Sequence, residues 1–220
     1  IVKLDAAGSL RWARAVGGAA TDEVRALAQD RAGNLILAGS FAGQGDFDPG
    51  PSGRTLGANG GTDIFILKLD PNGELLWAKA LGGTADEQAT ALAVDAAGDI
   101  YLGGYFSGTL DFDSGAEFVP VTAAGRTDGF IAKFTAAGEL RWAQALPAAT
   151  GHVLALTRSV ALDAAGGIYA LTSSLPATAT FDAALGTAGL GVQSGMAMAL
   201  TKLDANGGVT WTQRWSGADG

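Results

Sequence analysis

The sequence predicts an all-β chain: a β-propeller of four-stranded antiparallel blades, with about three and a half blades present. Three observations predict it: a phrase that recurs at a long period, hairpin chemistry between short apolar runs, and strands apolar on both faces. The phrase "LDPNGELLWAKALGG" at 69–83 stands also as "LDAAGSLRWARAVGG" from Leu4, "FTAAGELRWAQALPA" from Phe134 and "LDANGGVTWTQRWSG" from Leu203. Trp12, Trp77, Trp142 and Trp211 are spaced 65, 65 and 69 residues apart, and Lys3, Lys68, Lys133 and Lys202 keep the same intervals. Asp30, Asp95 and Asp163 open a second phrase, "D-x-A-G", and Phe47-Asp48, Phe112-Asp113 and Phe181-Asp182 mark a third.

One unit, 84–148, shows how each element arises. "ATALAVD" is an apolar run closed by the turn "DAAG", and "DIYLGGYF" follows with β-branched and aromatic residues. After a loop, "GFIAKF" runs into "TAAG" and then "ELRWAQAL". Asp or Thr at the first turn position can accept from the backbone N–H two residues on, and Gly at the fourth supplies the positive φ of a hairpin with a bulge. Seven such turns stand at 5–8, 30–33, 70–73, 95–98, 135–138, 163–166 and 204–207, with Gly33, Gly73, Gly98 and Gly138 among the repeated glycines. In "DIFILKL", Phe65, Leu67 and Leu69 face one way and Ile64 and Ile66 the other, so both faces need cover. Stacked blades supply it, and the recurrent Trp is expected on the fourth strand, filling the gap between blades.

The units are 1–18 (a half blade, second hairpin only), 19–83, 84–148 and a divergent 149–216, with 217–220 opening a further repeat. Seven hairpins that begin and end with the same kind leave a ring unclosed. The expectation is that the remaining blades belong to the same longer chain.

Composition narrows the function classes. A net charge of −8 without a basic cluster argues against a nucleic-acid partner. No apolar run is long enough for a membrane span, and the absence of cysteine removes disulfides and thiolate metal sites. The foremost metal candidates are Asp46 and Asp48 in "GDFDPG" and Asp111 and Asp113 in "LDFDSG", carboxylates two apart that could offer oxygens to Ca²⁺. Turn capping is the competing role, because the run lacks the third ligand and the glutamate of a calcium loop. Asp63 and Asp128 open third strands and are expected to bond between blades, whereas Asp22, Asp86 and Glu87 are expected to be solvated. Lys3, Lys68, Lys133 and Lys202 read as ion-pair partners of aspartates at blade seams or on the rim. The one histidine, His152, has no companion ligand and reads as a loop residue. Nothing selects a catalytic residue.

The succession "DAAGDIYLGGYFSGTLDFDSG…TDGFIAKF…GELRWAQAL" resembles the SBBP-type β-propeller repeats of bacterial secreted and surface proteins, over essentially the whole chain. A weaker likeness joins "LDAAGSLRWARAVGG" to the repeats of quinoprotein and outer-membrane-assembly propellers, without their Thr before Gly. The first resemblance implies an extracellular or cell-surface scaffold that is not an enzyme and needs no cofactor. It would bind protein or glycan partners through rim loops around 44–62, 109–127 and 176–195. A calcium-dependent adhesive module and a propeller enzyme (hydrolase, lyase or quinoprotein-like) with its site in the channel are the alternatives.

Overall fold

The computed structural model describes residues 1–113, 119–146, 154–175 and 197–216. Within them the chain is all β, arranged as stacked antiparallel four-stranded sheets of a propeller. A first hairpin, β1 (Val2–Leu4) and β2 (Leu10–Ala13), stands alone as a half blade. A short crossover, β3 (Gly17–Gly18), leads to blade one: β4 (Asp22–Gln29), β5 (Leu35–Asp46), β6 (Thr55–Leu69) and β7 (Leu75–Leu81). Blade two holds β8 (Glu87–Val94) and β9 (Ile100–Phe106), a small ribbon of β10 (Thr109–Asp111) and β11 (Pro120–Thr122), then β12 (Asp128–Phe134) and β13 (Leu140–Leu146). Blade three is β14 (Leu154–Leu162), β15 (Ile168–Leu175), β16 (Ala197–Leu203) and β17 (Val209–Ser216). No described helix is long and apolar enough to cross a membrane.

The hairpins form where the turn chemistry lies. All seven turn glycines have φ between 81° and 88°, the left-handed region that glycine enters without a Cβ clash. Each glycine N–H donates to the carbonyl of the first turn residue at 2.9–3.1 Å. That residue's side-chain oxygen accepts from the amides two and four residues on, as Asp70 does from Asn72 and Glu74 and Thr135 from Ala137 and Glu139. The bulge sits beside the turn only in the second hairpins, as between Lys68 and Leu69. In the first hairpins it lies mid-strand, as between Ala89 and Ala91.

Packing follows from the two-sided strands. Phe65, Leu67 and Leu69 pack with Leu37, Phe41 and Phe47 toward the half blade, meeting Ile1 and Val16. Ile64 and Ile66, on the other face, join Ile100, Leu102, Phe106 and Phe130 of blade two. Tyr101 and Ile131 then pack on Val160, Ile168 and Leu203 of blade three. The first strands β4, β8 and β14 touch in sequence, so each blade presents its first strand to its neighbours.

The rim differs from the expected loops. Residues 44–62 are mostly strand, because β5 runs on to Asp46 and β6 begins at Thr55, pairing Gln44 with Gly57 and Asp46 with Thr55. The equivalent in blade two is the β10–β11 ribbon, which pairs Leu110 with Val121. Extended pairing satisfies backbone groups that a loop would leave to water. The third predicted loop, 176–195, and His152 lie outside the described residues.

Candidate functional site

The ribbon tips carry the sequence-predicted acids. Asp46 Oδ1 accepts from Asp48 N at 3.0 Å and Arg54 N at 2.7 Å, which close the tip of blade one. These backbone bonds hold the Asp46 carboxyl below its ordinary value. Asp48 Oδ1 accepts from Gly50 N at 2.8 Å. In blade two, Asp111 Oδ1 takes Asp113 N and Val119 N, each at 3.0 Å. Phe47 and Phe112 between the acids are fully buried in the core. A calcium ion takes six to eight oxygens, and the blade-one tip offers two carboxylates that already accept backbone amides. Among the described residues no three His, Cys, Asp or Glu side chains converge as a metal cluster.

Between blades one and two the rim opens into a cleft of about 380 Å³. Arg54 immediately precedes β6 and Asn59 lies within it, Lys79 comes from β7, Asp111 ends β10 of the next blade and Asp113 follows it. Two cations and two carboxylates thus share one opening, and apart from Leu56 the rest of its described wall is small or polar.

Beneath this rim lie carboxylates that the sequence reading placed otherwise. Glu87, expected to be solvated, is fully buried, and its Oε2 accepts from Gly83 N at 2.9 Å. Asp63, expected to bond across blades, instead caps its own ribbon by accepting from Asn59 N at 3.0 Å, and Asp128 takes Ala124 N in the same way. Asp22 caps Gly18 N at 2.6 Å and Asp86 binds Thr62 N, so neither is merely solvated. The signal was available in the repeated spacing: an acid stands four residues after the second glycine of "GG" at both Asp22 and Glu87. Among the described residues, Asp63 Oδ1 and Glu87 Oε1 meet no hydrogen-bond partner. Burial pushes Glu87 up to about 7, against the Gly83 bond, and the Asp63 and Asp86 charges add to the rise. Burial likewise raises Asp63.

That shift has a sign. Folded Glu87 holds its proton more tightly than the unfolded chain, whose value is the ordinary 4.5. Its contribution to stability is therefore full below pH 4.5 and declines as pH rises through about 7. Urea midpoints across this range should fall more steeply for the wild type than for Glu87→Gln. Parallel profiles would assign the slope to another group.

The repeated lysines pair within a blade, not between blades. Lys68 Nζ meets Asp30 at 2.9 Å, Lys133 meets Asp99 at 3.0 Å and Lys202 meets Asp163 at 3.3 Å. Burial opposes the Asp30 charge, but hydrogen bonds from Asn34 and Lys68 outweigh it and bring its pKa to about 2. The contact between blades is to backbone: Lys3 Nζ donates to Pro71 O and Lys68 Nζ to Ala136 O. Trp12, Trp77 and Trp142 are half-buried over the second-hairpin turn of the following blade, whereas Trp211 is exposed.

No family model matches the chain, including any for the SBBP-type repeats it resembles. It is similar to Regulatory protein FlaEY of Caulobacter vibrioides, 30% identical over 138 residues, which are 63% of this chain and 14% of that protein. It is also similar to an uncharacterized WD repeat-containing protein of Acanthamoeba polyphaga mimivirus, 26% identical over 193 residues, covering 76% of this chain and 13% of the relative. The chain therefore spans about a seventh of the length of the curated relatives it matches. With the geometry above, these likenesses place it among repeat proteins of propeller-like architecture.

Proposed function

We propose that this chain is a non-catalytic β-propeller interaction module of a secreted or cell-surface bacterial protein, binding a protein or glycan partner through its rim ribbons. The observation that carries the reading is the mixed-charge cleft between blades one and two. Arg54, Lys79, Asp111 and Asp113 line one opening, while the repeated Trp and Lys side chains beneath are engaged in holding blades together. Charges of both signs on opposite walls fix the orientation of a partner that carries both. Among the described residues the cleft wall has no aromatic ring on which a sugar could stack, which favours a polypeptide segment over a glycan. The names of the two relatives, a regulatory protein and a WD repeat-containing protein, accord with an interaction role. Envelope placement rests on the SBBP resemblance.

Peptide and glycan arrays probed with the purified chain test the reading. Binding to peptides of mixed charge is expected, falling at least tenfold with Arg54→Glu/Lys79→Glu and weakening with added salt. Arrays that stay blank, or binding that ignores both charge reversals, would remove the cleft from consideration.

A further inference from the structure

β6 outruns the strand beside it. It has 15 residues, whereas β7 has 7 and pairs only with Ile64–Leu69. Beyond β7, β5 holds one edge of β6 by pairing Gln44 with Gly57 and Asp46 with Thr55. Phe47 N donates to Arg54 O at 2.8 Å, which makes these two the non-hydrogen-bonded pairs of the ladder. In such pairs the main-chain groups point away from the partner strand, so Thr55 and Gly57 turn N–H and C=O to the opposite edge. No strand pairs with that edge among the described residues. Leu56, between them, is buried in the core beside Phe47 and anchors the segment.

The cleft opens along this edge, lined by Thr55, Leu56, Gly57 and Asn59. The edge stops at Asn59, whose N–H is taken by Asp63, and Gly61 N already donates to Ala85 O at 3.2 Å. Thr55–Asn59 thus offers about 17 Å of strand. Blade two closes the same position. Asp111 pairs with Pro120 as Asp46 does with Thr55, and proline, lacking an N–H, keeps an edge from being extended. Val119 and Gln144 stand there in place of Arg54 and Lys79. Arg54 and Lys79 make no ion pair among the described residues. Of the two described ribbons, the one with the open edge is also the one with the two unmet cations.

We propose that the cleft takes an extended polypeptide segment of a partner protein as an added strand on the Thr55–Asn59 edge of β6. The inference rests on the cleft reading above and adds the form of the ligand. Main chain meets main chain at Thr55 and Gly57, an acidic side chain of the segment faces Arg54 and Lys79, and a basic one faces the Asp111 wall. A segment lying there continues the line of β7, which ends at Leu81, after which Gly82 bridges to Asp111.

Binding isotherms with the tightest mixed-charge peptide of the arrays, and with copies N-methylated at single backbone amides, test this without altering the protein. An added strand presents every second amide to β6, so N-methylation at those positions should weaken binding about tenfold and at the intervening ones hardly at all. Thr55→Pro, which copies Pro120, should weaken the unmodified peptide about tenfold. It leaves the ladder to β5 intact, because Leu56 makes those bonds. Thr55→Val keeps the N–H and should bind as the wild type does. Uniform tolerance of N-methylation overturns strand addition and leaves the cleft reading standing, whereas blank arrays remove both. An alternating pattern that Thr55→Pro does not weaken puts the added strand on another edge and overturns the assignment to β6.

Discussion

Phe130→Ala should destabilise the chain by about 4 kcal/mol, read as a large drop in urea midpoint. Phe130 is fully buried at the seam of blades one and two. Its ring stands edge-on to Phe112 at 5.0 Å and to Phe106 at 6.3 Å, the geometry in which aromatic quadrupoles attract. Truncation removes the ring's burial and both of these contacts, and leaves a cavity bounded by β-sheet on two sides. Sheets pinned by ladder hydrogen bonds collapse poorly into such a void, which places the cost in the upper part of the range for aromatic deletions. Phe65 holds the equivalent place in blade one, 4.8 Å from Phe47 and 6.4 Å from Phe41. A loss below about 1 kcal/mol would contradict this packing.

Gly104→Ala should cost about 3 kcal/mol, although it adds a single methyl group. Gly104 pairs across the sheet with Phe130. A Cβ there would collide with the Gln88 carbonyl and stand 2.6 Å from the Phe130 ring. The carbonyl belongs to a strand already bulged between Ala89 and Ala91, so it has little freedom to retreat. Combining the change with Phe130→Ala removes the ring collision and leaves the carbonyl one. The double variant should therefore lose at least about 1 kcal/mol less than the sum of the singles, and strict additivity would refute the shared contact. The chain has made a related exchange itself. Gly39 pairs with Phe65 and Gly104 with Phe130, but at the matching place in blade three Thr172 pairs with Ala199. The large member moved to the other strand, and the Thr172 hydroxyl donates to Ala199 O at 3.3 Å.

These two positions show where sequence reading reached its limit. The glycine ending the "D-x-x-G-N/D-ϕ-ϕ-ϕ-x-G" phrase (ϕ apolar) is visible as a pattern, yet its reason lies in both partner strands, one before it and one some 26 residues on. Turns, strands and the two faces of β6 were legible because each is a local matter of two to four residues. The burial of Glu87 showed only in the spacing it shares with Asp22 after a glycine pair, since a charged residue there reads by itself as solvent-facing. The ribbons themselves were hidden by polar, glycine-rich composition, which disguises continued pairing as loop. For the acids at Asp46 and Asp111, both capping and calcium binding were in view from the sequence. Only the amide positions show that the capping bonds are made.

The seating of Trp12, Trp77 and Trp142 on a bare α-carbon and a main-chain carbonyl bears on how such chains diversify. A latch that reads only backbone asks nothing of the adjoining unit except one glycine. Whole units can then be duplicated, dropped or shuffled without co-adapting the side chains on either side of the latch. Blade three illustrates this tolerance: its interior has drifted, with Ala199 in place of a phenylalanine, and its Gly207 still receives Trp142. Length in this architecture is free to vary by copying, while the seam chemistry stays constant.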